Sequence, residues 1–402
     1  MGAQQSTHSR SAVRPEIQAL RAIAVSAVVL HHGWPAVAPA GYMGVDVFFV
    51  VSGFLITGLL LREHERSGRI SLGRFYLRRA RRILPAAVVV LAAVSAATVA
   101  FVPKTEWFQW FREIVASALY VENWQLVADS QNPARDDLAS TPVQHYWSLS
   151  VEEQFYLVWP LLLILALWFA AKRGRGATPT LLIALGVVTA GSFALSVATT
   201  AADHNIAYFS TLTRTWEFGV GGLLAVATAH GRASGTPALR AAASWAGLAL
   251  IALPILVFHD EAAFPGLVVL LPVAGALAVI WARMPQPRWS PAALLRLAPV
   301  QWTGDLSYSL YLWHWPIIML APYVTGIPSP PWIMVLLVVL SFAVSDLSKR
   351  CIEDPFRRQG TRLGSRPVLL LGGLAVAMAL VVGAGTVAPG VARDQLACER
   401  DG

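Results

Sequence analysis

Uninterrupted apolar stretches of about 18–25 residues recur along this chain, each long enough to cross a hydrocarbon layer of roughly 30 Å at a rise of 1.5 Å per residue. Inside hydrocarbon every backbone polar group has to be satisfied within the protein, so repeated stretches of this length fold as membrane-spanning helices. Composition agrees: 56% of the 402 residues are hydrophobic and 13% charged, against roughly 25% charged in a soluble domain. The fold class that follows is all-α, a polytopic membrane protein. A disordered chain, a disulfide scaffold and an ordinary cytosolic enzyme are excluded.

Eleven spans are read near 17–37, 43–62, 83–102, 144–171, 180–201, 211–229, 241–258, 263–282, 302–322, 331–349 and 367–388. The connections between them alternate in charge. Of 31 Lys and Arg, 24 fall on one side, five on the other, and two, Arg21 and Arg214, inside spans. The basic side takes in Arg10 and Arg14, the eight arginines from Arg62 to Arg82, Arg232, and the loop from Lys349 to Arg366. The other side has short turns such as Asp260–Glu261 and one long loop at 103–143, whose Trp107, Phe108, Trp110 and Phe111 are read as lying against the membrane. The positive-inside rule then puts the N-terminus in the cytoplasm and the C-terminus outside. The chain divides into a cytoplasmic tail (1–16), a ten-helix membrane domain (17–366), an eleventh helix (367–388) and an extracytoplasmic tail (389–402).

Three other readings of the chain are set aside on the same grounds. Ala36-Val37-Ala38-Pro39-Ala40 looks like a signal-peptidase site, but Arg21 and His31-His32 interrupt the apolar stretch before it, which suits a span better than a leader. The net charge of +8 belongs to topology and not to nucleic-acid binding, because the arginine clusters abut apolar spans. Cys351 and Cys398 offer no zinc spacing and fall on opposite sides of the membrane.

Ionisable groups inside spans cost roughly 2.5–3.5 kcal/mol each, so each needs a partner or a task. By depth they form two layers. Toward the outer side lie His31, His32, Asp46, Glu152, Glu153, and the pair Arg214 and Glu217, three apart on one helix face. Toward the cytoplasm lie Arg21, the Arg78-Arg79-Ala80-Arg81-Arg82 cluster, Asp305, Asp346 and Glu353. Arg21 and His32 are separated by about 16 Å of one helix, which reports to both layers. A histidine polarised by a carboxylate can take a proton from a hydroxyl, and clustered arginines suit the phosphates of a nucleotide-like donor. The chemistry this suggests is group transfer through the membrane.

Each residue also has a plainer reading. His32 can be a packing histidine, Arg78 to Arg82 a topology signal, and Arg214 with Glu217 an internal ion pair. His314, between Trp313 and Trp315, fits either role, and Ser52, Tyr308 and Tyr311 are candidate relay hydroxyls. Glu152 and Glu153 point about 100° apart on a helix, so one pocket cannot hide both.

The chain resembles the acyltransferase-3 family of integral membrane O-acyltransferases. The resemblance is carried by Leu20-Arg21-Ala22 with His31-His32, by Gly44-Val45-Asp46-Val47-Phe48-Phe49-Val50-Val51-Ser52-Gly53-Phe54, and by Phe75-Tyr76-Leu77-Arg78-Arg79-Ala80-Arg81-Arg82. It continues through Tyr146-Trp147-Ser148-Leu149-Ser150-Val151-Glu152-Glu153-Gln154-Phe155-Tyr156, Arg214-Thr215-Trp216-Glu217, Ser307-Tyr308-Ser309-Leu310-Tyr311-Leu312-Trp313-His314 and Glu353-Asp354-Pro355. It implies transfer of an acyl group, commonly acetyl, from cytoplasmic acyl-CoA to a hydroxyl of an envelope glycan, glycolipid or lipid-linked sugar in a bacterial inner membrane. Acyl-CoA is then a donor substrate, with no bound cofactor and no metal. His32 becomes the general base, with Asp46, Glu152 and Glu153 assisting, and Arg21, Arg78, Arg79 and Arg82 serve the donor. Family members with an eleventh span commonly carry an SGNH-type outer domain, fused or separate. No Gly-Asp-Ser motif follows span 11 and Cys398 is left unpaired, so the sequence reads either as a stand-alone enzyme or as the membrane part of a longer protein. A transporter or flippase is the competing class, although the charged motifs do not repeat between halves. A non-catalytic scaffold would gain nothing from charges converging at such cost.

Overall fold

The apolar stretches fold as helices whose ends are set by capping, proline and the reappearance of charge. A computed structural model describes residues 14–132, 139–229, 235–259, 264–327, 330–357 and 367–401. In chain order the α-helices are α1 (Pro15–Gly33), α2 (Gly44–Ser67), α3 (Leu72–Phe101), α4 (Trp107–Ala118), α5 (Glu122–Ser130), α6 (Tyr146–Lys172), α7 (Ala177–Ala202) and α8 (His204–Phe209). There follow α9 (Thr211–Thr228), α10 (Pro237–Val257), α11 (Leu270–Ala282), α12 (Ala292–Leu295), α13 (Ala298–Thr325), α14 (Pro331–Ser348), α15 (Asp354–Arg357) and α16 (Pro367–Asp401). The chain is an all-α polytopic membrane protein.

Contacts between distant residues sort the connections into two ends. At one end Arg14 donates to the carbonyl of Ile280 (2.9 Å), Arg240 to that of Ala282 (2.9 Å) and Gln301 to that of Pro15 (2.8 Å). At the other, the Ala40 amide donates to Ile255 (3.1 Å), Trp315 to the Thr141 carbonyl (2.8 Å) and Asn123 to the Phe209 carbonyl (3.1 Å). Arg14, Arg62, Arg240 and Arg283, from four of the basic connections, gather at the first end, as alternation of charge requires. Arg10, Arg232, Asp260–Glu261 and Arg366 lie outside the described residues.

Among the described residues, seven helices are long and apolar enough to cross a membrane: Gly41–Ser67, Leu72–Phe101, Tyr146–Lys172, Ala177–Ala202, Pro237–Val257, Pro331–Arg357 and Gly372–Asp394. The other four segments read as spans are α1, α9, α11 and α13. Three of them carry polar groups within their apolar runs: Arg21 and His32, both half-buried, on α1, and the fully buried Arg214 and Glu217 on α9 and His314 on α13. The fourth, α11, has only 13 residues, because the apolar run before Leu270 is spent in turns.

Three expectations are corrected. Helix α3 begins at Leu72, not near residue 83, so the arginine cluster is part of the helix. The long loop at 103–143 contains α4 and α5, and Trp107, Trp110 and Phe111 are buried in the protein, leaving only Phe108, 52% exposed, to face outward from that set. The tail expected from residue 389 continues α16 to Asp401 across Pro389. Cys351 is exposed, and the side chain of Cys398 lies outside the described residues.

Close helix crossings fix which residues meet. Helix α2 packs most extensively on α9, and α1 packs closely on α13. A Cβ at Gly53 of α2 would fall inside the carbonyl of Phe218 on α9, and a Cβ at Gly304 of α13 inside that of Gln18 on α1. Gly53→Ala should therefore lower stability in detergent by at least about 1–3 kcal/mol, the usual cost of overpacking. Gly73→Ala, with nothing within 4 Å of the new carbon, should be neutral or mildly stabilising because alanine is the better helix former. Thermal unfolding of the two variants beside wild type checks the contrast.

Candidate active site

Two cavities, each partly open to the surroundings, are formed between the helices, and Val45 and Tyr311 line both. The first lies toward the basic end. Arg21 enters it from α1, and Arg79 and Arg82, three apart and so on one face of α3, enter from the opposite wall. Arg21 donates to Gln18 Oε1 at 2.8 Å, and Arg79 lies 5.4 Å above the ring of Tyr156. Helix α6 contributes Tyr156 and both Glu152 and Glu153, correcting the expectation that one pocket cannot take the two adjacent acids, because the cavity is wide enough to span their divergence; α2 contributes Ser52. Ser52 Oγ and Tyr156 OH are 2.6 Å apart, and the Tyr156 hydroxyl donates to Glu152. Apolar walls are made by Phe48, Phe49, Ile56, Ile83 and Leu149. Three guanidinium groups beside an apolar passage can hold phosphates and accommodate a less polar arm.

The second cavity lies toward the other end and is lined by His31, His32, His145, Tyr208 and Trp315 among others. His32 Nδ1 is 3.0 Å from His314 Nε2, and His314 Nδ1 donates to the Leu310 carbonyl at 2.9 Å. The Trp315 ring lies against His32 with centroids 4.2 Å apart. Trp315 is itself anchored to the Thr141 carbonyl, and the Thr141 hydroxyl donates to Glu113 of α4. The α4–α5 region thus braces the tryptophan that braces the histidine. Tyr208 reaches the cavity from α8, whose start is capped by Asp203 accepting from the amides of Asn205 and Ile206. Burial would raise the Asp203 carboxyl, but these amides and the Gln131 side chain outweigh it and hold the group below its ordinary value.

Between α2 and α9 the guanidinium of Arg214 pairs with Asp46 and lies 3.2 Å from Glu217, with none of the three side chains more than 1% exposed. The rings of Phe264 and Phe49 flank the cation at 5.3 and 5.7 Å. None of these three charged residues lines either cavity.

The family profile described as "Acyltransferase domain", the acyltransferase-3 family, matches residues 14–350. The chain belongs to this family. It is 32% identical over 355 residues to "Peptidoglycan O-acetyltransferase OatA" of Listeria monocytogenes, covering 86% of this chain and 56% of that protein. It is 31% identical over 367 residues to "Putative peptidoglycan O-acetyltransferase YrhL" of Bacillus subtilis, covering 89% and 57%. The chain spans a little over half the length of these relatives. No solved structure matches it.

In this acyltransferase-3 member the two cavities reproduce the two layers inferred from depth only in part: of the outer layer His31 and His32 alone line the second cavity, and Asp305, Asp346 and Glu353 of the inner layer line neither. Arg21, Arg79, Arg82, Ser52 and Tyr308 line the first, as does Tyr311, and His32 lines the second. Arg78 faces away, paired to Glu63 at 3.1 Å. Glu152 and Glu153 stand with the arginines and not beside His32, and Asp46 is committed to Arg214, so no carboxylate hydrogen-bonds to His32 among the described residues. The partner is His314. Asp305 pairs with Lys349 (2.8 Å), Asp346 with Arg350 (2.7 Å) and Glu353 with Ser309. Tyr308 donates to the Ile83 carbonyl at 2.8 Å, and Tyr311 bonds to Ser148 (2.6 Å) and to the His145 carbonyl (3.1 Å).

Tyr156 and His145 were not singled out from the sequence. The signal for Tyr156 is its position four residues after Glu152, one helical turn on. For His145 it is a place at the start of α6, at a depth near that of His32. Because Arg214 is buried between two acids, Arg214→Met leaves both carboxylates unanswered and should cost about 3–5 kcal/mol. That loss should appear as lower thermal stability in detergent, before any question of activity arises.

Proposed function

We propose that this protein transfers an acyl group, acetyl by preference, from acyl-CoA bound at the basic end to a hydroxyl of an envelope glycan or lipid-linked sugar at the other end. The basic end is cytoplasmic in this reading, the membrane is the cytoplasmic membrane of a bacterium, and the eleven-span path carries the chain outward. The observation that carries it is a pair of cavities that share Val45 and Tyr311 as lining residues, one also lined by three arginines and the other by His32.

The chemistry follows from the lining. Arg21, Arg79 and Arg82 bind the phosphates of the donor by charge-assisted hydrogen bonds. The apolar walls take the pantetheine arm, which brings the thioester past Tyr311 to His32. His32 accepts the proton of the acceptor hydroxyl as its oxygen attacks the thioester carbonyl, the role of a general base. The relatives named as O-acetyltransferases support a hydroxyl acceptor, and those named for peptidoglycan support a wall glycan. An SGNH-type domain, fused or separate, would complete delivery to the polymer.

Purified protein in lipid nanodiscs, given acetyl-CoA and soluble muramic-acid glycans, tests the reading. Wild type should release CoA and acetylate the glycan. His32→Ala should keep donor binding and lose about 10²–10⁴-fold in turnover. Arg79→Ala and Arg82→Ala should each weaken acetyl-CoA binding about 10–100-fold, the worth of a charge-assisted hydrogen bond. A wild-type protein that binds no acyl-CoA overturns the reading and favours a transporter.

A further inference from the structure

The proton positions in the His32–His314 pair follow from one fixed acceptor. His314 Nδ1 lies 2.9 Å from the carbonyl oxygen of Leu310, one turn earlier on α13. A backbone carbonyl can only accept, so Nδ1 carries a hydrogen. His314 is fully buried, and among the described residues its hydrogen-bond partners are backbone carbonyls of its own helix and His32, with no carboxylate among them. A charged ring there would be an uncompensated buried cation, so the ring is the neutral imidazole. Its Nε2 is then an acceptor, and His32 Nδ1, 3.0 Å away, has to donate. The lone pair of a neutral His32 is left on Nε2. The Trp315 ring against the imidazole opposes a flip that would exchange the nitrogens.

We propose that His314 is the positioning residue that selects the tautomer of His32, making Nε2 the nitrogen that accepts the substrate proton. This rests on the reading of His32 as general base. The acceptor hydroxyl oxygen bonds to the thioester carbonyl carbon while its proton passes to Nε2. The C–S bond breaks and the resulting imidazolium returns the proton to the sulfur, giving the O-acyl ester and free CoA. Throughout, Nδ1–H stays bonded to His314, and while His32 is cationic that bond is charge-assisted. The part that a carboxylate plays in a Ser-His-Asp triad is here taken by a neutral histidine, itself oriented by a backbone carbonyl.

Two substitutions separate orientation from packing. His314→Phe keeps the ring volume and removes the acceptor. His314→Gln keeps an oxygen able to accept from His32. Orientation by His314 predicts that the phenylalanine variant loses about 10–100-fold in kcat, the usual effect of removing an orienting partner, with KM for acetyl-CoA unchanged. The glutamine variant should recover most of that loss. Near-wild-type activity in the phenylalanine variant, with the larger loss in glutamine, would overturn the proposal in favour of packing. Nitrogen-15 NMR of histidine-labelled protein in nanodiscs, assigned with His32→Gln, reads the tautomer without turnover. A proton found on Nε2 of resting His32 overturns the inference even in an active enzyme. A resting Nδ1–H tautomer in a wild-type protein that binds acetyl-CoA but transfers nothing instead removes the general-base reading and leaves the tautomer assignment standing.

Discussion

Arg214, Asp46 and Glu217 bring three ionisable groups into a part of the bundle where none of their side chains is more than 1% exposed, and each is tolerable there because of the others. Removing charge from water costs several kcal/mol per ion even after relaxation, and only close partners offset it. The cluster therefore fixes α2 against α9, and the crossing at Gly53 fixes how near they come. Since α2 also carries Val45, Ser52 and Ile56 into the first cavity, the ion cluster positions a wall of the site without touching it. A charge that is structurally committed in this way is unavailable for proton transfer, which is why Asp46 does not partner His32.

The cavities obey the same constraint differently. In the first, three arginines face two glutamates, and several guanidinium donors remain available to an anion entering between them. In the second, the polar lining has no arginine, lysine or carboxylate: it is mostly histidines, tyrosines and amide side chains set among aromatic rings. One cavity lined by cations and one lined by rings and amides, with Val45 and Tyr311 in both walls, suit the proposed donor, whose anchor is anionic and whose reactive end is not. Helix α1, with Arg21 in one cavity and His32 in the other, spans the distance that such a molecule has to cover.

Much of this was legible because it is one-dimensional. Span length, the alternation of basic connections and depth along a helix follow from residue counting, and they placed Arg21 and His32 correctly relative to each other. Rotation about a helix axis and the identity of the neighbouring helix are not one-dimensional, and the misassigned partners come from there. Glu152 and Glu153 lie only about 9–11 Å into α6, which reads as shallow, yet α3 starts eleven residues before its apolar run and lifts Arg79 and Arg82 to meet them. His314 was ambiguous because a histidine between two tryptophans reads equally as packing or chemistry. The Leu310 carbonyl behind it, which fixes the hydrogen on Nδ1, is set by the helix and not by the residue string. The long segment at 103–143 misled for a related reason: of Trp107, Phe108, Trp110 and Phe111, three are covered by other parts of the protein.

The central claim is that one molecule bridges the two cavities, so that donor and acceptor are used from opposite faces of the membrane. Proteoliposomes of uniform orientation test it most directly, with radiolabelled acetyl-CoA, which does not cross the bilayer, on one face and glycan oligomers sealed on the other. The account predicts label on the trapped glycan when acetyl-CoA is supplied at the face bearing the arginine-rich connections, and none when the two compounds are exchanged. Acetylation only when donor and acceptor share a face would contradict it.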